Sequence, residues 1–458
     1  MSFYSLNFLL FFLAATGLVQ LSKTVKAQRW VFLLANAVFY AYWDARFLLL
    51  LLGVIGVCYA AARLFEYGGK SAYIYAGVTA CLALLGFCKY YNFFVSSFAR
   101  AFGLGLGTLN IILPLGISFY LFQAMSYLLD VKKGVVSAQR DFVKLAAYIS
   151  FFPQITSGPI VKAHDFLPQL ERLHRVKKEN VYLGVTRFVN GLTKKVVFAD
   201  RIGVAVNAVF AAPAAYNGLS IAMAVIGYAL QIYCDFSGYS DMAIGIATIW
   251  DFDLGRNFNM PYLAENPSDF WRRWHISLST WFRDYVYIPL GGSRRGKLRT
   301  YVNLFLTMLL SGLWHGANAT FLAWGAYHGV GCVVHRLFGR RGVRKKPWQR
   351  ALCTAANCLF VSLGWVIFRA DSMAQAMEVF RGLFRATGIC YVNVFVVVYG
   401  VIIAVTHLYA RFRLDGNAAE AALKLDTFRG KLGLCVWVFL IAMLMYCGNS
   451  AFIYANFE

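Results

Sequence analysis

Long apolar stretches alternate with short polar ones along the whole chain. The apolar runs fall at roughly residues 6–21, 30–43, 46–64, 72–88, 109–129, 142–158, 219–250, 301–314, 317–334, 351–368, 391–410 and 431–447. A helix needs about 20 residues to cross a bilayer. Several runs are shorter than that, which predicts tilted or re-entrant segments beside full spans. The pattern predicts an all-α polytopic membrane protein with about eleven transmembrane helices. No repeat, low-complexity tract or Pro/Ser-rich linker divides the chain, so residues 1–458 read as one integral membrane domain. Polar insertions lie at 159–202, 251–300, 336–350 and 411–430.

Two runs are interrupted by helix breakers. Pro114 and Gly116 interrupt Leu113–Tyr120, and Pro153, Gly158 and Pro159 interrupt Phe151–Pro159. Broken backbone survives at membrane depth only where protein covers it or a cavity wets it. Kinked packing helices and pore lining both fit. A third run, Gln231–Asp241, carries Asp235 and Asp241 inside a membrane-length segment. Six residues apart, they do not share one helix face, and Gly238 between them is a candidate break. We read them as structural partners for the arginines that follow, with a proton path as the alternative.

Composition sharpens this picture. The chain is 60% hydrophobic and only 14% charged, against about 25% charged residues in soluble domains. Length alone would suggest several soluble domains, and hydropathy overrides it. The net charge of +23 would suggest nucleic acid in a soluble protein. Here the basic residues cluster between apolar runs, as cytoplasmic loops do. They also suit anionic headgroups or a phosphate-bearing cytosolic substrate. Lys23, Lys26 and Arg29 follow the first run, which places 22–29 inside and the N-terminus outside. The 336–350 loop holds Arg336, Arg340, Arg341, Arg344, Lys345, Lys346 and Arg350 with no acid, and should be cytoplasmic. The first run lacks a basic n-region, so no cleaved signal peptide is expected. The ten cysteines show no CxxC pair or zinc spacing, which predicts buried core thiols rather than a metal site.

Candidate chemistry concentrates between Ser268 and His328. Ser268 or Asp269 is expected to cap a helix bearing Phe270, Trp271, Arg272, Arg273, Trp274, His275, Trp281 and Arg283. Arginine and tryptophan at this density suit an interfacial helix. They equally suit a site where Arg272, Arg273 and Arg294 hold phosphates and Trp274 supports an adenine ring. Arg294, Arg295, Lys297 and Arg299 follow Gly291-Gly292, and a headgroup anchor is the alternative for them. His315 ends an apolar helix pattern, where a histidine is costly. Gly312 and Gly316 bracket it and are expected to leave room for a substrate. His275 and His315 match no metal-ligand spacing. A neutral imidazole can take a proton from a hydroxyl nucleophile. Two histidines without a nearby carboxylate fit acyl transfer better than peptide or glycoside hydrolysis. Transport through the broken helices and a purely structural anchor are the competing classes.

The stretches Phe270–Ser279 and Gly312–Asn318 resemble the membrane-bound O-acyltransferase family, nearest its bacterial branch of alginate and peptidoglycan O-acetyltransferases. Teichoic-acid D-alanyl transferases are more distant relatives. The resemblance implies a ring of membrane helices with re-entrant segments around a central funnel. It implies a cytosolic thioester donor, acetyl-CoA, and no permanently bound cofactor. It places the essential base at His315 and the second motif histidine at His275. It also implies an extracytoplasmic partner protein, a bacterial inner-membrane location and an exported or envelope polysaccharide as acceptor. Relatives end in an aromatic motif whose tyrosine relays the acyl group. That motif maps onto Phe452, Tyr454 and Phe457, with Ala455 where the family has Phe. By loop charge the C-terminus should lie outside.

Overall fold

The computed structural model describes residues 1–105, 107–339, 346–413, 425–446 and 448. Helices dominate, and among the described residues the β contribution is one isolated bridge, Tyr216 to Ile389. Leu6–Leu21 begins behind Ser5, whose side chain accepts from the Phe8 amide. The 30–43 and 46–64 runs merge into one helix, Val25–Gly68, with a kink at Asp44 (φ −159°, ψ 113°). Ser71–Leu85 continues through a π-turn, Gly86–Tyr90, into Tyr91–Phe102. Five helices among the described residues are long and apolar enough to cross a membrane: Val25–Gly68, Ser71–Ala99, Gly218–Ile249, Pro347–Arg369 and Val394–Arg413. The 301–314 and 317–334 runs form Lys297–His315 and Ala319–Phe338, which pack against each other. This is a multi-pass membrane architecture in which the shorter runs supply partial and broken segments.

The two interruptions meet. Helix resumes at Ile117 after Gly116, and the 142–158 run splits into Phe142–Ile149 and the single turn Phe152–Ile155. Gly116 sits at φ +69°, and a Cβ there would run into the Ile155 carbonyl. Polar side chains of Val25–Gly68 satisfy the freed backbone. Tyr40 donates to the Leu115 carbonyl at 2.9 Å, and Asn36 accepts from the Phe152 amide at 2.9 Å while donating to the Ala147 carbonyl at 3.2 Å. The breaks are packing devices covered by protein, as membrane depth requires.

Gly218–Ile249 is the buried centre. It crosses Lys178–Leu192 so closely that a Cβ on Gly184 would lie 2.6 Å from the Gly245 carbonyl oxygen, and one on Gly238 2.7 Å from that of Gly191. Small residues let backbones approach where lipid offers no hydrophobic drive between helices. Gly238 is therefore a contact point in a continuous helix, not the expected break. The carboxylates also pair differently from expectation. Asp235 meets Lys195 at 2.7 Å, and Asp241 meets Lys194 at 2.6 Å and Arg187 at 3.2 Å. The structural role stands, but its partners precede the helix instead of following it.

His174 ties the 159–202 insertion to the end of this centre. Its ring nitrogens lie 2.9 Å from the Trp250 carbonyl and 2.8 Å from that of Gln169, and its face stacks on Phe252. Burial holds the imidazole below its ordinary value of 6.5, against the opposing pull of the two carbonyls. Below that value the unfolded chain binds the proton more readily than the folded one. The contribution is thus full above about pH 6.5 and is lost as pH falls towards the folded value. Acidification from about pH 7 to about pH 5.5 should lower the thermal midpoint, and His174→Gln should flatten that slope. A midpoint with the same pH slope in both proteins would contradict this.

Candidate active site

The site begins with the stretch 251–266, whose one helical piece is the short 3-10 turn Pro261–Leu263. Its residues 262–265 run beside the Pro347–Arg369 helix. Glu265 pairs with Arg350 at 2.7 Å, the Ala264 carbonyl accepts from Asn357 at 3.2 Å, and the Tyr262 carbonyl faces the Cys358 thiol at 3.2 Å. Arg350 to Cys358 spans about 12 Å of helix, so the segment dips well into the fold. The short helix Pro267–Arg273 follows. Its cap is Asn266, which accepts from the Asp269 amide at 2.8 Å. That is two or three positions before the expected Ser268 or Asp269, and it leaves Pro267 at the first helical position, where its missing N–H costs nothing.

The expected single helix is in fact two, with His275 at the elbow. Its backbone is left-handed (φ 42°, ψ 57°), and Ile276–Phe282 starts immediately after. A non-glycine residue there costs on the order of 1–3 kcal/mol unless neighbours enforce it. Asn257 is the enforcer. Its carbonyl accepts from the Ile276 amide at 2.9 Å, and its side-chain oxygen accepts from the Ser277 amide and hydroxyl at 3.2 and 2.9 Å. Its amide group donates to Ser240 of the central helix at 3.1 Å. Asn257→Leu should release the elbow and lower turnover by about 10²-fold through misplacement, with KM for the donor little changed. Unaltered turnover in that variant would remove Asn257 from the site.

His315 is the last residue of Lys297–His315 and is 3% exposed; His275 is 1% exposed. One ring links them. Trp314 lies 4.9 Å from the His315 ring and 6.2 Å from that of His275, centroid to centroid. Trp324 and Phe368, each 5.2 Å away, complete the wall around His315, and Phe236 lies 4.6 Å from His275. Lys89, from the π-turn, donates to the Trp314 carbonyl at 2.9 Å and to Ser118 at 3.3 Å. Tyr90 donates to the Leu313 carbonyl at 2.5 Å. The carbonyls that a helix leaves open at its C-terminus are thus satisfied by side chains, and His315 is fixed in place. The flanking glycines do not leave the expected space. Cβ atoms on Gly312 and Gly316 would strike the Phe321 carbonyl and the Phe321 ring. They admit the Ala319–Phe338 helix, not a substrate.

Two residues belong to this centre that sequence reasoning did not select. Lys89 is one, and its signal was a lysine at the end of an apolar run. His328 is the other. Its ring lies 4.9 Å from Trp324 and 5.1 Å from Trp271. Among the described residues neither of its ring nitrogens has a hydrogen-bond partner, and the indole N–H groups of Trp271, Trp314, Trp324 and Trp365 are in the same position. Buried polar atoms are nearly always paired, so such a cluster calls for water or a ligand.

The expected phosphate-binding residues separate. Arg272 points outward with its side chain 73% exposed, 3.8 Å from Asp269. Arg273 is held by Asp269 at 3.1 Å and by the Asn259 carbonyl at 3.3 Å. Trp274 is 1% exposed, enclosed by Phe258, Phe270 and Trp365. A ring so covered has no free face for adenine and forms wall instead, correcting that expectation. Arg294 is exposed, just before the N-terminus of the His315 helix, whose 19 residues put the two ends about 27 Å apart. Tyr454, with Phe452 and Phe457, lies outside the described residues, as do Arg340, Arg341, Arg344 and Lys345.

A paired-histidine centre walled by tryptophans, set in a multi-pass helical fold, is what one family model also matches. The match covers residues 135–374, which include both histidines, and the chain belongs to the membrane-bound O-acyltransferase (MBOAT) family. It is an acyltransferase. Among its relatives is the probable alginate O-acetylase AlgI of Pseudomonas aeruginosa, 40% identical over 396 residues, 84% of this chain and 75% of that protein. The peptidoglycan O-acetyltransferase of Helicobacter pylori is 37% identical over 388 residues, 78% of this chain and 73% of its own. The teichoic acid D-alanyltransferase of Bacillus subtilis is 30% identical over 277 residues, 57% and 69% of the two chains.

Proposed function

We propose that this acyltransferase moves an acetyl group from acetyl-CoA on the cytoplasmic side to a polysaccharide hydroxyl outside, on an alginate- or peptidoglycan-like polymer. The observation that carries this reading is the Trp314-bridged pair of buried histidines. His315 acts as general base. Its imidazole takes the proton of a hydroxyl as that oxygen attacks the thioester carbonyl carbon. The C–S bond then breaks, and the proton passes from His315 to the departing thiolate. His275, which shares the Trp314 ring with His315, positions the reacting groups. The nucleophile is the Tyr454 hydroxyl, which hands the acetyl group to an extracytoplasmic partner protein.

Depth supports a wet approach from the basic side. Trp271 packs between Trp324 and His328, halfway along Ala319–Phe338, yet the neighbouring Arg272 side chain is exposed. A guanidinium at that height faces water in a cavity and not hydrocarbon. Arg272, Arg273 and, nearer the surface, Arg294 attract the donor's phosphates. The protein sits in a bacterial inner membrane with both termini outside. Acetyl transfer is favoured over D-alanyl transfer by the closer O-acetylase relatives. The ion pairs of Asp235 and Asp241 speak for scaffold over a proton path.

Labelled acetyl-CoA supplied to reconstituted full-length protein tests this. Wild type should release CoA and carry label on its own chain, and Tyr454→Phe should lose both the label and onward transfer. Transfer that survives Tyr454→Phe means direct attack by the acceptor. A wild-type protein that leaves acetyl-CoA intact sinks the reading.

A further inference from the structure

A second cavity lies away from the histidines. It is a groove of ≈ 650 Å³ between three of the membrane-length helices, Gly218–Ile249, Pro347–Arg369 and Val394–Arg413. That volume falls within the range of about 300–1,000 Å³ usual for ligand sites. Its walls are almost wholly carbon, and small residues such as Ala229, Ala355, Gly400 and Ala404 keep it open. An acetyl group has no use for such a length of hydrocarbon wall. A lipid chain does, yet lipid tails gain little by exchanging bilayer for an apolar protein face. Selection must come from polar groups at one end.

The groove has such an end. Arg411 and His407 stand one turn apart on Val394–Arg413, and both line it. Arg411 reaches Thr354 at 3.2 Å and shares Glu265 (3.5 Å) with Arg350 (2.7 Å), so two guanidiniums face one carboxylate. That excess of positive charge fits an anion. His407 is 5% exposed, with Nδ1 2.8 Å from the Ile403 carbonyl and, among the described residues, no partner for Nε2. A carbonyl only accepts, so Nδ1 carries the hydrogen and Nε2 of the neutral ring is an acceptor waiting for a donor. Anion, hydroxyl donor and hydrocarbon chain, in that arrangement, describe one kind of molecule.

We propose that this groove is a binding site for an anionic glycerophospholipid with a free headgroup hydroxyl, phosphatidylglycerol being the probe. One acyl chain lies in the groove, the phosphate meets Arg411, and the hydroxyl donates to His407. Basic pockets between membrane helices hold anionic headgroups in this way. Native mass spectrometry of the purified full-length protein should show one phosphatidylglycerol retained per chain. Ala404→Trp, which fills the groove, should abolish retention, and Arg411→Gln should weaken it about fivefold. His407→Phe should weaken phosphatidylglycerol while leaving phosphatidylethanol, a phosphodiester of the same charge whose headgroup has no O–H donor, unchanged; this comparison decides the matter if the tryptophan variant fails to fold. Equal retention of phosphatidylcholine, displacement by inorganic phosphate at matching concentration, or undiminished binding by His407→Phe would each overturn the proposal.

Discussion

If His315 is the base proposed above, His315→Ala should lower acetyl transfer by about 10²–10⁴-fold, the usual loss when one general base is removed. The ring it deletes is boxed in by Trp314, Trp324 and Phe368, so alanine also leaves a cavity. His315→Phe separates the two effects by keeping the volume and losing the proton acceptor. It should be as inactive as the alanine variant while melting close to wild type. Because His275 and His315 rest on the same Trp314, His275→Ala combined with His315→Ala should cost less than the two single losses added together, as residues sharing a partner do. Transfer at the wild-type rate by His315→Phe would end the base assignment.

Lys195→Met should be the most destabilising single change. Lys195 is buried between two carboxylates, Asp200 at 2.8 Å and Asp235 at 2.7 Å. Removing the cation leaves two acids facing each other out of water. Breaking a buried pair from one side commonly costs about 3–5 kcal/mol. Lys195→Met should therefore lower the thermal midpoint in detergent sharply. The double variant Lys195→Met with Asp235→Asn should recover part of the loss, because it removes one of the stranded charges. A double variant less stable than the single one would show that the triad is not what holds these segments together.

Much of this was legible in the sequence. The apolar runs announce a polytopic helical protein because burial in lipid leaves helices few alternatives. Two tryptophan-histidine motifs announce the centre because an imidazole at membrane depth needs a reason. The paired character of Asp235 and Asp241 was also readable. What escaped was everything decided by contact between distant segments. Lys194 and Lys195 are near-neighbours of their acids only through the glycine-lined crossing of Gly184 and Gly191 on Gly245 and Gly238. Gly312 and Gly316 look like room for a substrate until Phe321 is found filling it. The elbow at His275 has no decisive local signal, since histidine, though it tolerates left-handed backbone better than most residues, still adopts it only rarely. It exists because Asn257, eighteen residues earlier, holds the two residues that follow it. Trp274 belongs to a motif rich in arginine and reads as a binding surface, but only packing shows both its faces covered.

The 32 residues of Gly218–Ile249 amount to a rod about 48 Å long, against an oily layer about 30 Å thick. Such a rod must lean hard or protrude, and a stretch longer than the oily layer is relieved by leaning, kinking or local thickening of the lipid sheet. Lys178–Leu192, Asp200–Ala211, Pro347–Arg369 and Val394–Arg413 all pack against it, so whatever slant the rod takes, its neighbours must share.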